Sequence, residues 1–498
     1  MRRDLVAPLA IAAIVLVTRL PFVTHTLWAW DSVLYANALE RGFHVDFDLG
    51  EQRPQPPGYI LYIATAALLR GFTDDSNAAL VLLSVIASAV GAAALYRLAR
   101  RFTGMPAAAL VAGGYAFNPL VWTYAEIAYP YALLGLLAVV LATAFWDTRA
   151  GGRAAHAWIS SFAFGLLTGY RQDLALLLGA LWVWMLWPSS RRTRAIAALA
   201  ALAGVALWFA PSAILSDGLD AYVFALQQQS ESVRSTYSVG AQGLAAFGYN
   251  LRFTLYSLSW GLLGFGVVLA ALVAAPILHA VSAGGPRGRL AMSRRRNELG
   301  FFLTWVVPGL AFYVAVHIGE WGYVLSVLPA LYVLLAALLE EFLLQRLRGA
   351  ARRAWPYLGA AVVAGGAALF VFGLTRFSAY ALSRHDQETQ VRVSYLREHF
   401  PKERTIVLAR EDFLLVRYYL PEYRAWLYDP DPYASSRMRK RAMRATAIVI
   451  FTQGLRPRQE LDVRYVEAAP GVAIEYVPIE PGSVVEFSGE RFMVRDPQ

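Results

Sequence analysis

Residues 28–62 read WAWDSVLYANALERGFHVDFDLGEQRPQPPGYILY and follow a first apolar segment, 5–23. The stretch places a carboxylate, Asp31, directly beyond that segment, behind two tryptophans and ahead of an amphipathic helix that the pattern predicts from Ser32. Aspartate in this position is also a common helix N-cap. An acid beside an apolar segment is costly, however, and is therefore a candidate functional residue.

The composition indicates whether the chain lies in water or in a membrane. Apolar residues make up 57% of the 498 residues, charged residues 16%, and the mean hydropathy is +0.44. A soluble chain of this length could not cover so much apolar surface, which predicts a polytopic membrane protein. The net charge of +10 comes largely from short arginine clusters between apolar segments, a pattern typical of topology signals and not of nucleic-acid binding. The absence of cysteine excludes disulfides, thiolate metal sites and cysteine nucleophiles.

The arginine clusters predict how the chain crosses the membrane. We expect them to face the cytoplasm, and an even number of crossings between successive clusters then gives about eleven spans. The predicted spans are 5–23, 77–96, 106–118, 127–146, 154–168, 174–187, 195–212, one within 244–280, 299–318, 322–344 and 355–374. The apolar run 58–72 would break this parity, so we interpret it as a helix at the outer interface.

This count predicts two domains in a multi-pass protein of the cell inner membrane. Residues 1–375 form the membrane domain, with a cytoplasmic N-terminus, an outer loop over 24–76 and a long outer loop over 213–243. Residues 376–498 form a small extracytoplasmic α/β domain, because TIVLA at 405–409, AWLY at 425–428 and TAIVIF at 446–451 resemble strands around a helical FLLVRYYL at 413–420.

Further charged residues lie beside predicted spans on the outward side. Glu126 occurs in NPLVWTYAEIAYPY, and Arg171 and Asp173 occur in TGYRQDLAL. Each also has a structural interpretation: Glu126 as an interfacial surface residue, and the other two as a local ion pair where helices turn. Because arginine is disfavoured in short outer loops, Arg171 indicates an anionic group nearby.

The first loop also contains His25, His44, Asp46 and Asp48. Their spacing matches no metal-binding signature, so we interpret them as solvated loop residues. The sequence therefore assigns no metal site.

Several of these patterns occur together in one known superfamily. The W-x-W-D segment, the amphipathic helix, P-P-G-Y-x-x-Y at 56–62, an acid in a later outer turn and G-x-R-x-D at 169–173 follow one another in order. In order and spacing, residues 1 to about 375 resemble the GT-C superfamily of membrane glycosyltransferases. Within it, the chain is similar to the protein mannosyltransferase and aminoarabinose transferase group, which uses polyprenyl-phosphate sugars.

The resemblance implies roles for individual residues. Asp31 matches the catalytic acid of the first loop, Glu126 matches a second catalytic acid, and Arg171 matches a basic residue near the donor phosphate. Relatives often have His or Lys where this chain has Gln55, and Arg where it has Tyr323, so Arg53 or Arg252 is a further candidate for the phosphate. The residues expected to bind substrate are Trp30, Tyr35, Gln55, Tyr59 and Asp173.

The implied reaction moves one sugar from a polyprenyl phosphate to an envelope glycan, glycolipid or protein, with inversion at the anomeric carbon. The phosphate leaves readily, so the chain needs a base for the acceptor, Asp31, and positive charge for the phosphate, Arg171. The expected partners are the donor, the glycan or glycolipid acceptor and membrane lipid, without nucleic acid. No cofactor is certain, and a divalent metal, Mg²⁺ or Mn²⁺, is left open.

Two other classes of function stay open at this point. A transporter or flippase for a polyprenyl-linked sugar would also need many spans and buried charges, but it should show corresponding repeats in two halves. The sequence shows no convincing repeat, and its charges cluster on one side, which favours an enzyme. A scaffold that only presents its outer domain is disfavoured by the pair of acids.

Overall fold

The structure is a computed structural model and describes residues 2–47, 53–263, 288–341, 349–428, 441–455, 461–487 and 492–495. Asp48, one of the acids of the first loop, lies outside these residues. The span predicted within 244–280 is described as far as residue 263.

The chain folds into two compact units. The first, called the helical unit, contains Met1–Val23 and Asn37–Leu382. The second, called the C-terminal unit, contains Thr24–Ala36 and Ser383–Gln498. The division into 1–375 and 376–498, drawn from composition, stays a prediction.

Helices make up most of the chain before residue 400. They are α1 (Arg2–Arg19), α2 (Trp30–Arg41), α3 (Ile60–Thr73), α4 (Ser76–Ala99), α5 (Met105–Ala116), α6 (Pro119–Ala125), α7 (Tyr131–Gly151), α8 (Ala154–Leu167), α9 (Leu174–Leu186), α10 (Arg191–Ile214), α11 (Leu219–Tyr237), α12 (Val239–Leu262), α13 (Gly288–Ala315), α14 (Leu328–Leu339), α15 (Gly349–Phe372) and α16 (Ala379–His399). Short 3₁₀ helices cover Leu20–Phe22 and Trp321–Ser326.

Six helices in the described part of the chain are long and apolar enough to cross a membrane. They are Leu5–Phe22, Ser76–Ala99, Tyr131–Gly151, Arg191–Ile214, Asn297–Ala315 and Arg353–Phe372. Five shorter apolar helices accompany them: Ile60–Thr73, Met105–Ala116, Ala154–Leu167, Leu174–Leu186 and Leu328–Leu339. The predicted α-helical polytopic fold is confirmed.

Helix α3 covers the run predicted to lie at the outer interface. It buries Tyr62, Ile63 and Ala66 and leaves Leu68 and Phe72 exposed on the other side. A helix with one buried face and one exposed apolar face fits the interfacial position predicted for it.

The segment predicted as a long loop, 213–243, is largely helical. Helix α11 occupies Leu219–Tyr237 and buries Tyr222 and Ala225, which lie three positions apart and hence on one face. Asp220 in its first turn suits the positive end of the helix dipole. The polar composition that suggested a loop belongs to the exposed face of this helix.

Helix α6 is short but is held tightly at its start. The Oδ1 atom of Asn118 accepts hydrogen bonds from the backbone N–H groups of Leu120 and Val121 at 2.9 and 3.3 Å, and Pro119 fills the first helical position. The Asn118 amide also donates to the carbonyl oxygens of Trp260 and Gly261 on α12, at 2.9 and 3.0 Å. These bonds place the end of α6, which Glu126 follows, at a defined point.

Helices α8 and α10 pack through glycine. A Cβ atom on Gly165 would overlap the carbonyl oxygen of Ala201, and one on Gly204 would lie 2.6 Å from the backbone nitrogen of Leu166. The two backbones therefore touch directly, as small residues allow in membrane helices. This contact positions the turn that follows α8.

Gly165→Ala should lower the thermal unfolding temperature in detergent, because the added methyl group must push α8 and α10 apart. Overpacking of this kind costs about 1–3 kcal/mol. Gly179→Ala is the matched control, since Gly179 lies inside α9 with no atom near its Cβ position. It should be neutral or stabilising by up to about 1 kcal/mol. Equal unfolding temperatures for the two variants would contradict this packing.

The C-terminal unit contains two sheets. Its strands are β1 (Thr405–Ala409), β2 (Arg424–Leu427), β3 (Arg441–Arg444), β4 (Ala447–Ile450), β5 (Arg464–Ala469), β6 (Val472–Pro478), β7 (Val484–Phe487) and β8 (Phe492–Arg495), with helix α17 (Phe413–Tyr419) between β1 and β2. The first sheet has the order β2-β1-β4-β6-β5, in which β1 runs parallel to β2 and β4. The second has the order β3-β7-β8 and is antiparallel.

The strand and helix predictions for this region are confirmed. Each of the four predicted segments forms the expected element within two residues. Buried side chains from both sheets form one core, including Ile406, Leu408, Trp426, Ile448, Val485 and Phe487. Strands β1 and β4 are buried along their whole length and pair with each other in parallel, as such largely apolar runs predict.

Candidate active site

The turn between α8 and α9 carries a buried ion pair. Arg171 is 2% exposed, and its Nε and Nη2 atoms donate to the two carboxylate oxygens of Asp173 at 3.1 and 2.8 Å. The turn is fixed by Trp208 of α10, whose indole N–H donates to the Gly165 carbonyl oxygen and the Thr168 hydroxyl at 3.0 and 3.1 Å. Arg171 and Asp173 therefore form the local ion pair that their spacing suggested.

Three tyrosine rings surround the guanidinium of Arg171. Its Cζ atom lies 5.4 Å from the ring centre of Tyr59, 4.7 Å from that of Tyr131 and 5.2 Å from that of Tyr323. Burial by itself lowers the pKa of Arg171, but the Asp173 carboxylate and the three surrounding tyrosines together outweigh this effect, so that the pKa lies above its ordinary value. The centre of the site is thus a permanent positive charge among aromatic faces.

Tyr59 reaches this position through a strained backbone. Gly58 has φ +106°, and a Cβ atom there would lie 2.5 Å from the Val45 side chain. Tyr59 itself adopts φ 47° and ψ 46°, a left-handed conformation that a bulky side chain rarely occupies. Two hydrogen bonds hold the segment: Tyr222 donates to the Pro57 carbonyl at 2.8 Å, and the Leu61 N–H donates to the Gly169 carbonyl at 3.1 Å.

Gln172 is a residue of this turn that the sequence did not single out. Both polar atoms of its amide are buried, and they have no hydrogen-bond partner within the described part of the chain. A buried amide normally finds a partner. The signal was present in GYRQD, where Gln172 separates the two charged residues.

Glu126 lies in a second cluster of the helical unit. It is 0% exposed, its Oε1 atom accepts a hydrogen bond from the Trp122 indole at 2.8 Å, and the same atom lies 3.7 Å from Nε of Arg19. Arg19, also 0% exposed, lies 4.2 Å above the Trp122 ring and donates to the Ala116 carbonyl. The sequence signal for Arg19 was a single charge at the end of an otherwise apolar span.

A third charged group contains Glu320, which the sequence analysis did not select. Its Oε2 atom accepts a hydrogen bond from the Tyr124 hydroxyl at 2.8 Å, and burial raises the pKa of its carboxyl group. The Tyr124 ring lies 5.1 Å from the Tyr131 ring beside Arg171, so aromatic side chains connect the two groups. Nearby, the Arg376 guanidinium lies 4.5 Å from the Trp321 ring.

The predicted residues of the proline loop lie in the helical unit. Arg53 pairs with His44 through two backbone hydrogen bonds, and its guanidinium donates to the Arg41 carbonyl at 2.9 Å. Gln55 is half-buried. Among the predicted residues of this unit, Arg171, Asp173 and Tyr59 form one cluster, whereas Glu126 lies with Arg19 and Trp122.

Asp31, Trp30 and Tyr35 belong to the C-terminal unit. Helix α2 begins at Trp30 instead of Ser32, so Asp31 lies in its first turn, half-buried, where a carboxylate suits the helix dipole. The Trp30 ring lies 6.3 Å from that of Phe413, and Tyr35 is buried. Within the described residues, no group of three or more acids and histidines is arranged to hold a metal ion.

No protein-family model matches this sequence, and no curated protein matches it. The fold, by contrast, is similar to that of solved structures of ArnT and of an archaeal oligosaccharyltransferase over most of the chain. The resemblance predicted from the sequence, to the GT-C superfamily, is thereby confirmed at the level of the fold alone.

Three solved structures illustrate this similarity. ArnT from Cupriavidus metallidurans in the apo state gives a TM-score of 0.59 at 13% identity, covering 95% of this chain and 97% of that one. ArnT bound to undecaprenyl phosphate gives 0.56 at 14% identity, with the same coverage. The Archaeoglobus fulgidus oligosaccharyltransferase gives 0.51 at 14% identity, covering 89% of this chain and 67% of that one.

Replacing Arg19 by Leu should lower the unfolding temperature strongly, because it removes the cation that faces the buried Glu126. Breaking a buried ion pair from one side costs about 3–5 kcal/mol. The double variant Arg19→Leu/Glu126→Leu should recover much of this loss, since neither charge is then buried. Thermal unfolding of the wild type, the two single variants and the double variant in one detergent measures the coupling. Additive losses would show that the pair has no coupling.

Proposed function

We propose that this protein is a membrane glycosyltransferase that moves a sugar from a polyprenyl-phosphate donor to an acceptor outside the cytoplasm. The observation that carries the proposal is the buried, permanently charged Arg171 in a fold shared with ArnT, which binds undecaprenyl phosphate. We take the acceptor to be an envelope glycan, glycolipid or protein. The arginine clusters support a multi-pass position with the candidate residues facing outward.

Arg171 is suited to hold the donor phosphate. A guanidinium has five N–H donors, and Asp173 accepts from two of them. This ion pair fixes the plane of the group, so its remaining donors are pre-oriented for an anion as charge develops on the departing phosphate. Tyr59, Tyr131 and Tyr323 offer aromatic faces beside it, and the Gln172 amide offers a neutral donor and acceptor.

Asp31 is proposed as the base that takes the proton from the acceptor. Its half-buried position in the first turn of α2 leaves part of the residue exposed, as this role requires. Attack on the side opposite the phosphate would invert the anomeric carbon. The deep burial of Glu126 against Arg19 favours a role in positioning the α6–α7 turn over direct contact with substrate.

The test is transfer by the purified protein in liposomes. It is supplied with a panel of radiolabelled polyprenyl-phosphate sugars and with envelope lipid and glycan acceptors, and we expect label in one acceptor. Movement of a labelled donor across the bilayer without transfer would instead establish a flippase. If no donor gives either transfer or movement across the bilayer, the proposal is refuted.

Asp31→Asn should lower the turnover number in this assay by about 10²–10⁴-fold, the usual contribution of a general base. Donor affinity should be unchanged. Asp74→Asn is the control: Asp74 is an exposed acid at the end of α3 with φ 54°, a conformation that asparagine also tolerates. An active Asp31→Asn enzyme would refute the base assignment.

Arg171→Lys should raise the Michaelis constant for the donor about tenfold or more, because a lysine cannot form the forked contact. Arg101→Lys is the matched control, since Arg101 forms a bidentate pair with Asp147 on the surface. It should leave the donor saturation curve unchanged. Unaltered donor saturation for Arg171→Lys would remove Arg171 from the proposed phosphate site.

A further inference from the structure

The first-loop segment is bound by the domain at the other end of the chain. The carboxylate of Asp386, on α16, accepts three hydrogen bonds from this segment: from the His25 N–H at 2.8 Å, from the Thr26 N–H at 2.9 Å and from the Thr26 hydroxyl at 2.6 Å. Asp386 is only 9% exposed. All these residues belong to the C-terminal unit.

Further contacts continue along the segment toward Asp31. The Leu27 N–H donates to the Tyr419 hydroxyl at 2.8 Å, and the Leu27 carbonyl lies 3.0 Å from Nε2 of His385. The His385 ring lies 4.6 Å from that of Trp28. Tyr419 and His385 therefore bind both backbone groups of Leu27, which lies four residues before Asp31.

The segment also lies against a particular edge of the sheet. Trp30 packs against Phe413, the first residue of α17, which follows strand β1 after a three-residue connection. In α/β folds, the carboxyl ends of parallel strands form the usual place for a ligand. Here the first-loop segment itself packs beside that edge.

The chemistry at position 386 favours a carboxylate over an amide. Three donors converge on its two oxygens, and an amide would turn an N–H₂ group toward one of the N–H groups of His25 and Thr26. A buried carboxylate is retained only where such bonds offset its lost hydration. The geometry is thus specific for an acid that accepts hydrogen bonds from the backbone.

We infer that Asp386 is a positioning residue through which the C-terminal domain sets the orientation of Asp31. The inference rests on the proposed function of Asp31 as base. Asp386 fixes residues 25 and 26, His385 and Tyr419 fix Leu27, and Phe413 supports Trp30, next to Asp31. The C-terminal domain is then part of the catalytic apparatus and not only a cap.

The test compares Asp386→Ala, Asp386→Asn and a control in the transfer assay and by hydrogen exchange. Asp386→Ala should lower turnover by about 10²-fold, the cost of a misplaced catalytic group, with the donor Michaelis constant within about twofold of wild type. Asp386→Asn should restore part of the loss. Glu398→Gln, at an exposed acid of the same helix, should match the wild type in both constants.

Amide exchange of the peptide 24–30 gives a readout independent of transfer. Asp386→Ala should speed its exchange, whereas Glu398→Gln should not. Thr26→Val, which removes only the hydroxyl contact, should show the same effects to a smaller extent and serves if Asp386→Ala does not fold. Unchanged exchange in folded Asp386→Ala overturns the inference, as does an equal loss in turnover and donor affinity. Absence of transfer by the wild type refutes the proposed function alone, and exchange then decides whether Asp386 holds the segment.

Discussion

The bidentate contact between Arg171 and Asp173 is the interaction on which the helical unit depends around its candidate site. A guanidinium with 2% exposure would be strongly destabilising without a counter-charge. Asp173 supplies that charge and fixes the guanidinium plane. The ring centres of Tyr59, Tyr131 and Tyr323 all lie within 5.4 Å of its Cζ atom. The turn between α8 and α9 therefore contacts the start of α3, the start of α7 and the 3₁₀ helix Trp321–Ser326.

Other buried charged side chains also have partners that offset the loss of hydration. Arg19 and Glu126 join the end of α1 to the end of α6, and Asp386 collects N–H and hydroxyl donors from a segment far away in the sequence. Arg19, Glu126 and Arg171 lie at a helix end or in a turn, where backbone donors and acceptors are still available, whereas Asp386 lies inside α16. Charged residues therefore determine which segments meet, while apolar contacts determine how tightly they pack.

Much of the fold could be predicted because its signals are local. Long apolar runs gave the helices, and short apolar runs gave the strands β1, β2 and β4. The prediction of a loop over 213–243 was wrong, because the polar residues of this segment form the exposed face of helix α11. In the site, the pairing of Arg171 with Asp173 was foreseeable from a spacing of two residues.

The remaining contacts join residues that are distant in sequence, which periodicity does not encode. Arg19 donates to the carbonyl of Ala116 across 97 positions, and the Tyr323 ring reaches the Arg171 turn from the 3₁₀ helix Trp321–Ser326. The placement of residues 24–36 with the C-terminal strands had no sequence signal, because it depends on single side chains such as Asp386. Tyr59 was predicted from the sequence to bind substrate, but its left-handed backbone is imposed by the surrounding structure and not by its own preference.

The separation between Thr26 and Asp386 has a consequence for how the protein is made. The two residues lie 360 positions apart, which at ordinary ribosomal speed is about 20–70 s of synthesis. During that interval the segment that leads to Asp31 exists without the acid that orders it. On the roles proposed for Asp31 and Asp386, the nascent chain therefore gains activity only after Asp386 and the strands that follow it have emerged and folded.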